Sequence, residues 1–238
     1  VSTAVVLGAR NLGAAITRDL LARDVRVASV ARTRADLAAL AAGGAVPIEA
    51  DVTDSDALAA ALSGAAAAIG PPDLIVNAVS AGRPPDDGSG FGGGAIATAT
   101  AAGFEGWTVA VARQAFVFLG AAVRALGERG GTILQITGGP ARRANPQRGP
   151  VAAGMAAVRA LAHAAAQEQR EHGIHVGLVI VDGIIESPKT ARMTAGMPVN
   201  ALVRQEDVVR AVSFLASQST RGLTHELVVT PAGDRWLP

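Results

Sequence analysis

Two glycines open the chemical reading of this chain. Gly8 and Gly13 lie in the segment VVLGARNLGAAIT, where a β-branched run gives way to an alanine-rich one. A glycine-rich turn between a strand and a helix can bring backbone N–H groups and the positive end of the helix dipole against a pyrophosphate. The same two residues can also make a plain tight turn that binds nothing. Three arginines, Arg142, Arg143 and Arg148, crowd a second segment. They read either as a solvated basic loop or as a grip on an anionic group, such as a phosphorylated ligand or an acyl carrier. Asp182, Glu186, Arg113, Gln114 and Thr137 are further polar candidates at the predicted ends of strands and helices. The four histidines, His163, His172, His175 and His225, have no metal-ligand spacing, so no metal site is expected. No G-x-S-x-G elbow occurs, which leaves hydrolase chemistry without support. The chain has no cysteine and no tyrosine, and its one lysine is Lys189.

The elements that must position these groups follow from composition and periodicity. The chain has 238 residues, 50% of them hydrophobic, enough for the core of one domain spanning residues 1–238. Its formal charge of +1 carries no basic cluster dense enough for nucleic acid. No charge-free apolar stretch approaches the ~18 residues of a membrane span. The segment from Gly173 to Ile185 is short and contains His175 and Asp182. The opening VSTAVVLGAR lacks a basic region before its apolar run, so a cytoplasmic location is expected.

Apolar β-branched runs at Thr3 to Leu7, Val25 to Val30, Val46 to Ala50, Asp73 to Val76, Thr132 to Ile136, Ile174 to Val181 and His225 to Val229 predict seven strands. Between them, Asn11 to Arg23, Thr33 to Ala42, Asp54 to Ile69, Phe104 to Gly127, Pro150 to His172 and Glu206 to Ser217 predict helices. Thr33 and Asp54 are predicted caps, and Gly43-Gly44 a helix stop. Strict alternation, with strands apolar on both faces, predicts an α/β fold: a Rossmann-type doubly wound parallel sheet with helices on both faces. Residues 83–103 and 186–203 read as mobile loops. Long loops at the carboxyl ends of parallel strands are where such sheets bind ligands.

In the order of these features, from residue 3 to about residue 230, the chain resembles the short-chain dehydrogenase/reductase (SDR) family. The family's T-G-x-x-x-G-I/L-G turn falls on Val6 to Gly13. Only Gly13 of its glycines is kept, with Leu7 and Asn11 at the other two positions. Asn11 suits this position because Asn tolerates left-handed φ and can cap a helix. The resemblance implies that Gly8, Arg10, Asn11, Leu12 and Gly13 face a dinucleotide. After the second strand, Ala31 stands where an acid would bind the ribose of NAD and repel NADP. Arg32 beside it and Arg10 in the turn offer cations, so NADP is the implied cofactor. Asp51-Val52 matches the family's adenine-contacting D-V, and the same Asp can serve as a turn residue. Asn77 matches the first residue of N-N-A-G. Gly183, Ile184 and Ile185 fall where the family contacts the nicotinamide amide.

The family's Asn-Ser-Tyr-Lys tetrad is missing. Its Asn position falls on Arg113 or Gln114, its Ser on Gly138, its Tyr on Val151 and its Lys on Met155. Valine and methionine transfer no protons, so ordinary tyrosine-dependent carbonyl reduction is not expected. Two readings follow. One is an NADP-linked oxidoreductase that obtains its proton elsewhere. The other is a non-redox protein that uses the SDR fold to bind a small molecule or a partner. The small residues of Val151 to Ala166 favour the close helix packing by which the family forms homodimers and homotetramers, and a homo-oligomer is expected.

Overall fold

The computed structural model describes residues 1–79 and 90–234. Ser80 and the first part of the predicted loop, residues 83–89, lie outside the described residues. Nine strands form among the described residues: β1 (Thr3–Leu7), β2 (Arg26–Ala31), β3 (Val46–Glu49), β4 (Leu74–Asn77), β5 (Gly131–Gly138), β6 (Ile174–Val181), β7 (Ile184–Ile185), β8 (Leu202–Val203) and β9 (Glu226–Val229). Seven of them make one sheet in the order β3-β2-β1-β4-β5-β6-β9, parallel throughout. The strand order reverses between β1 and β4, which places the switch point beside the first turn. Pro47 lies in β3, at one margin of the sheet.

The helices are α1 (Asn11–Leu21), α2 (Arg34–Ala42), α3 (Ser55–Ile69), α4 (Ala101–Phe104), α5 (Ala110–Leu126), α6 (Gly149–Gln169), α7 (Ala191–Thr194) and α8 (Gln205–Ala216). Alternation along each strand divides the core in two. In β1, Val5 and Leu7 face α3, α5 and α6, where Leu58, Leu62, Phe118 and Leu126 pack. Ala4 and Val6 face α1 and α8, meeting Ile16, Leu20, Val208 and Leu215. Both faces of the sheet are therefore covered, which explains why its strands lack a polar side.

Helix ends follow their side chains. Thr33 accepts a hydrogen bond from the Asp36 N–H at α2, and Asp54 accepts from the Asp56 and Ala57 N–H groups at α3. Gly44, at φ +103°, supplies the left-handed turn after α2. Asn11 takes a left-handed φ of 46° but does not cap α1. Arg10 occupies the N-cap position there, and no side chain accepts from the first turn.

The predicted helix from Phe104 begins earlier, at α4, and passes through a π-helical turn (Glu105–Val109) before α5. A Cβ on Gly154 of α6 would overlap the backbone at Trp107 and Thr108, so this glycine lets the π turn dock on α6. The stretch Ala101–Arg129 is long and apolar enough to cross a membrane by length and composition. Here its inner face packs in the core against α3. The segment predicted as loop 186–203 contains α7, a 3-10 turn (Val199–Ala201) and the start of β8, which pairs in parallel with β7. Periodicity missed these elements because each is only two to four residues long.

Candidate active site

Every strand of the main sheet points its carboxyl end at one edge, and the predicted site residues gather there. Gly8 follows β1 at φ +106°, and its N–H donates to the Val30 carbonyl at 2.8 Å. A Cβ on Gly13 would overlap the Gly8 carbonyl, so Gly13 brings α1 hard against the turn. Leu7, at the family's first glycine position, is fully buried as the last residue of β1. The close approach falls instead to Gly8, whose Cβ would stand 3.3 Å from the Ala78 carbonyl oxygen. Arg10 is extended at the N-cap without a side-chain cap, and the Gly13 N–H donates to the Arg10 carbonyl at 3.1 Å, which among the described residues leaves the Asn11 and Leu12 N–H groups for an anion. That is the cradle a dinucleotide pyrophosphate needs, and Asn11, Leu12 and Gly13 would line it.

The adenosine side lies beyond β2. Ala31 is half-buried and Arg32 exposed. Arg10 makes a loose ion pair with Asp36, 3.8 Å. Asp51 Oδ1 accepts from the Thr53 N–H and hydroxyl at 3.0 and 2.8 Å. These two bonds, with a smaller contribution from Arg32, hold its carboxyl below the usual range. Asp51 is thus a turn residue. Val52 is buried against the core.

Asn77 ends β4 fully buried. Its Nδ2 donates to Gln114 Oε1 at 3.1 Å and Gln135 Oε1 at 2.9 Å, while its Oδ1 accepts from the Val79 N–H at 3.1 Å. This three-amide cluster ties β4, β5 and α5 together below the site. Gln114 belongs to it, whereas Arg113 is exposed on the outer face of α5. Ala115 of α5 is buried in the cluster against which Val111 and Met155 both pack.

The residues that sequence reading assigned to the tetrad, Gly138, Val151 and Met155, lie at the end of β5 and on the first turns of α6. Gly138 ends β5 beside Met155, and a Cβ on Gly138 would stand 3.2 Å from the Met155 sulfur. Val151 is 1% exposed. Its N–H donates to the Gly92 carbonyl at 3.3 Å, and a Cβ on Gly92 would stand 3.0 Å from Val151 Cγ1. The strap Gly92–Gly94 continues as a bridge from Gly94 to Arg148, and a Cβ on Gly93 would strike Pro150 at 2.8 Å. Three residues without side chains thus cover the place where the family carries its tyrosine.

The three arginines have separate partners, Arg142 and Arg143 half-buried and Arg148 exposed. Arg143 Nη2 donates to Asp182 Oδ1 at 3.0 Å, Arg142 lies 3.8 Å from Glu226, and Arg148 stacks over the Phe91 ring at 5.5 Å. Asp182 is buried beside Gly139, one residue past β6. Gly183 is held by Pro231 and Val203, so close that a Cβ would overlap both at under 3 Å. Ile184 and Ile185 form β7, and Ile185 packs on the α1–α8 core. Glu186 is exposed. Of the histidines, His163 pairs with Glu226 at 2.9 Å, and His175 and His225 contact edge to face at 5.6 Å.

A seven-stranded parallel sheet with a glycine-tightened first turn at its switch point defines the Rossmann class of α/β proteins. Residues 6–233 match the family profile described as enoyl-(acyl carrier protein) reductase. None of the curated proteins matches the chain. Among solved structures, a metagenomic short-chain oxidoreductase in complex with NADP is 27% identical, with 98% of each chain covered and a TM-score of 0.75. An actinorhodin polyketide ketoreductase variant with NADPH is 26% identical over 97% of this chain and 96% of that one, TM-score 0.77. An NADPH-bound short-chain oxidoreductase from Pseudomonas aeruginosa, described as containing an atypical catalytic centre, shares the fold at 23% identity, with 99% and 98% covered and a TM-score of 0.81. The chain belongs to the short-chain dehydrogenase/reductase family.

Proposed function

We propose that this chain binds NADP(H) at the carboxyl edge of its sheet and does not reduce carbonyls through the family's tyrosine and lysine. The observation that carries the first half is the uncapped start of α1 behind the Gly8–Gly13 contact, with Arg10 beside it. The NADP and NADPH complexes among the similar structures support it. Asn11, Leu12 and Gly13 would hold the pyrophosphate. Arg10 and Arg32 would meet the 2′-phosphate, since no acid stands at Ala31 to repel it. Gly183 and Ile185 would face the nicotinamide. When bound, the nicotinamide supplies hydride chemistry.

The second half rests on Val151 and Met155, which neither hold nor move a proton. An oxidoreductase built on this site must take its proton from water or from another side chain. The packing of Gly138 on Met155 and of the glycine strap on Val151 favours a second reading, a non-redox protein that binds a small molecule on the SDR fold. The exposed face of α6 carries Ala153, Ala156, Ala160 and Ala164, and Phe116 of α5 is 66% exposed. Both support a homo-oligomer formed through these helices, and sedimentation of the purified protein tests it.

Calorimetric titration with NADPH, and with NADH as the control, decides the cofactor. Micromolar binding of NADPH with weaker NADH binding is expected. Failure of both would overturn the cofactor reading and leave the non-redox one.

A further inference from the structure

Three side-chain amides meet in the core beside the first turn. Asn77 is fully buried at the end of β4, Gln135 of β5 is 2% exposed and Gln114 of α5 is 4% exposed. Asn77 and Gln135 are direct neighbours in the parallel pair β4–β5. Val76, Leu134 and Ile136, next to them along the strands, belong to the apolar core. An amide in such a place is costly unless its donors and acceptors are met. These three are met by one another and by two backbone groups, which fixes the way each one points.

The bonds run in one direction. Gln135 Nε2 donates to the Ile136 carbonyl at 2.7 Å, so its Oε1 is the atom turned to Asn77. Asn77 Nδ2 donates to that oxygen at 2.9 Å and to Gln114 Oε1 at 3.1 Å. Asn77 Oδ1 is thereby turned to the Val79 N–H, from which it accepts at 3.1 Å, closing an Asx turn. Turning the Asn77 amide over would set oxygen against two oxygens and nitrogen against an N–H. Ala78 and Val79 are the residues that wall the first turn. A Cβ on Gly8 would stand 3.3 Å from the Ala78 carbonyl oxygen and 3.5 Å from Val79 Cγ2. The Ala78 N–H donates to the carbonyl of Leu7, the residue before Gly8, at 3.0 Å.

We infer that Gln135 and Gln114 are positioning residues for the dinucleotide turn. They set the Asn77 amide, the amide sets Val79, and Val79 with Ala78 holds Gly8 where the turn can face a pyrophosphate. This rests on the cofactor reading and extends it to two glutamines that would touch no ligand. What the turn requires of Gln135 is an acceptor aimed at Asn77, which is more specific than a filled core.

The test sets Gln135→Met against Gln135→Glu. Methionine nearly keeps the volume and removes the acceptor, whereas glutamate keeps an acceptor at the same reach and brings an acid into the core. Both variants are expected to melt below wild type, so lost stability alone would move them alike. Calorimetry with NADPH, well below both melting ranges, separates them: Gln135→Met weakens binding about three- to tenfold, and Gln135→Glu stays within about twofold of wild type. Amide hydrogen exchange by NMR gives a second readout that needs no cofactor. In Gln135→Met, exchange of the Val79 and Gly8 N–H groups rises about tenfold more than that of the Phe118 N–H in α5. Gln114→Met, which leaves Gln135 in place, moves both readouts the same way and carries the test if Gln135→Met does not fold.

Wild-type affinity for NADPH in the methionine variants overturns the inference and leaves the cofactor reading intact. Equal weakening by Gln135→Met and Gln135→Glu also overturns it, since the amides would then only stabilise. If the wild type binds no NADPH, the cofactor reading falls and hydrogen exchange decides the positioning role alone. A rise at Val79 and Gly8 no larger than at Phe118 denies that role.

Discussion

The carboxylate of Asp182 fills the space into which a side chain on Gly139 would have to grow, so the two residues are complementary. Asp182 then reaches Arg143 at 3.0 Å. Gly139→Ala must push the carboxylate off this guanidinium, and a loss of about 1–3 kcal/mol is expected by urea unfolding. Gly64, in α3 with open space around it, is the control. There Ala should stabilise by about 0.5–1 kcal/mol. If the relationship is as described, Gly139→Ala combined with Asp182→Ala loses less than the sum of the two single changes. Strict additivity would show that the residues are independent.

Restoring the family's side chains should not restore its chemistry. Tyrosine at Val151 has to displace Gly92, and overpacking of this kind costs about 1–3 kcal/mol. Lysine at Met155 would place an ammonium group among Val111, Ala115 and Val158. The triple variant Gly138→Ser, Val151→Tyr, Met155→Lys is expected to melt lower than wild type and to show no gain in NADPH consumption with a simple ketone. Recovered turnover would mean that the strap yields readily and that side-chain identity alone silences the site.

The amide cluster carries a separate prediction. Gln114→Leu removes one acceptor of Asn77 Nδ2 and leaves Gln135 as its partner. A buried amide so deprived costs about 1–3 kcal/mol. The denaturation midpoint should fall, while exposed Arg113→Ala should leave it within about 0.5 kcal/mol.

Acid should weaken the fold in two stages. Burial lowers the pKa of His175 from 6.5, with the nearby His225 adding to the effect against a hydrogen bond to Thr224. As pH falls below about 6.5 the unfolded chain takes up this proton first, so stability declines. Glu226 comes later. Burial raises its pKa, but the Arg159 hydrogen bond and charge, with His163, outweigh that and bring it below 4.5. Its contribution is present above the unfolded value and is lost as pH falls through the lower folded one. Melting curves from pH 8 to 3 should show His175→Asn flattening the first stage and Glu226→Gln the second. Unchanged profiles would remove these groups as the cause.

The sheet and its helices were legible because each strand is apolar on both faces and each long helix repeats at its own period. Gly8 and Asn11 could be placed because few residues accept a left-handed φ, and Gly13 because only a glycine fits against the Gly8 carbonyl. Val151 and Met155 could be placed by their spacing from Gly138. The π turn leaves no periodic trace. The Asp182–Gly139 fit joins residues more than 40 positions apart, and no local pattern announces such a pair.

Pro47 sits in the outer strand β3, and the Ala50 N–H donates inward to the Ala31 carbonyl. By the two-residue alternation of a strand, the ring nitrogen of Pro47 faces outward, where it has no hydrogen to offer. A further strand docking on that margin would find a gap in its ladder. Continuation of the sheet from one molecule into another is therefore blocked at β3, which protects this margin from the edge-to-edge aggregation to which exposed strands are prone.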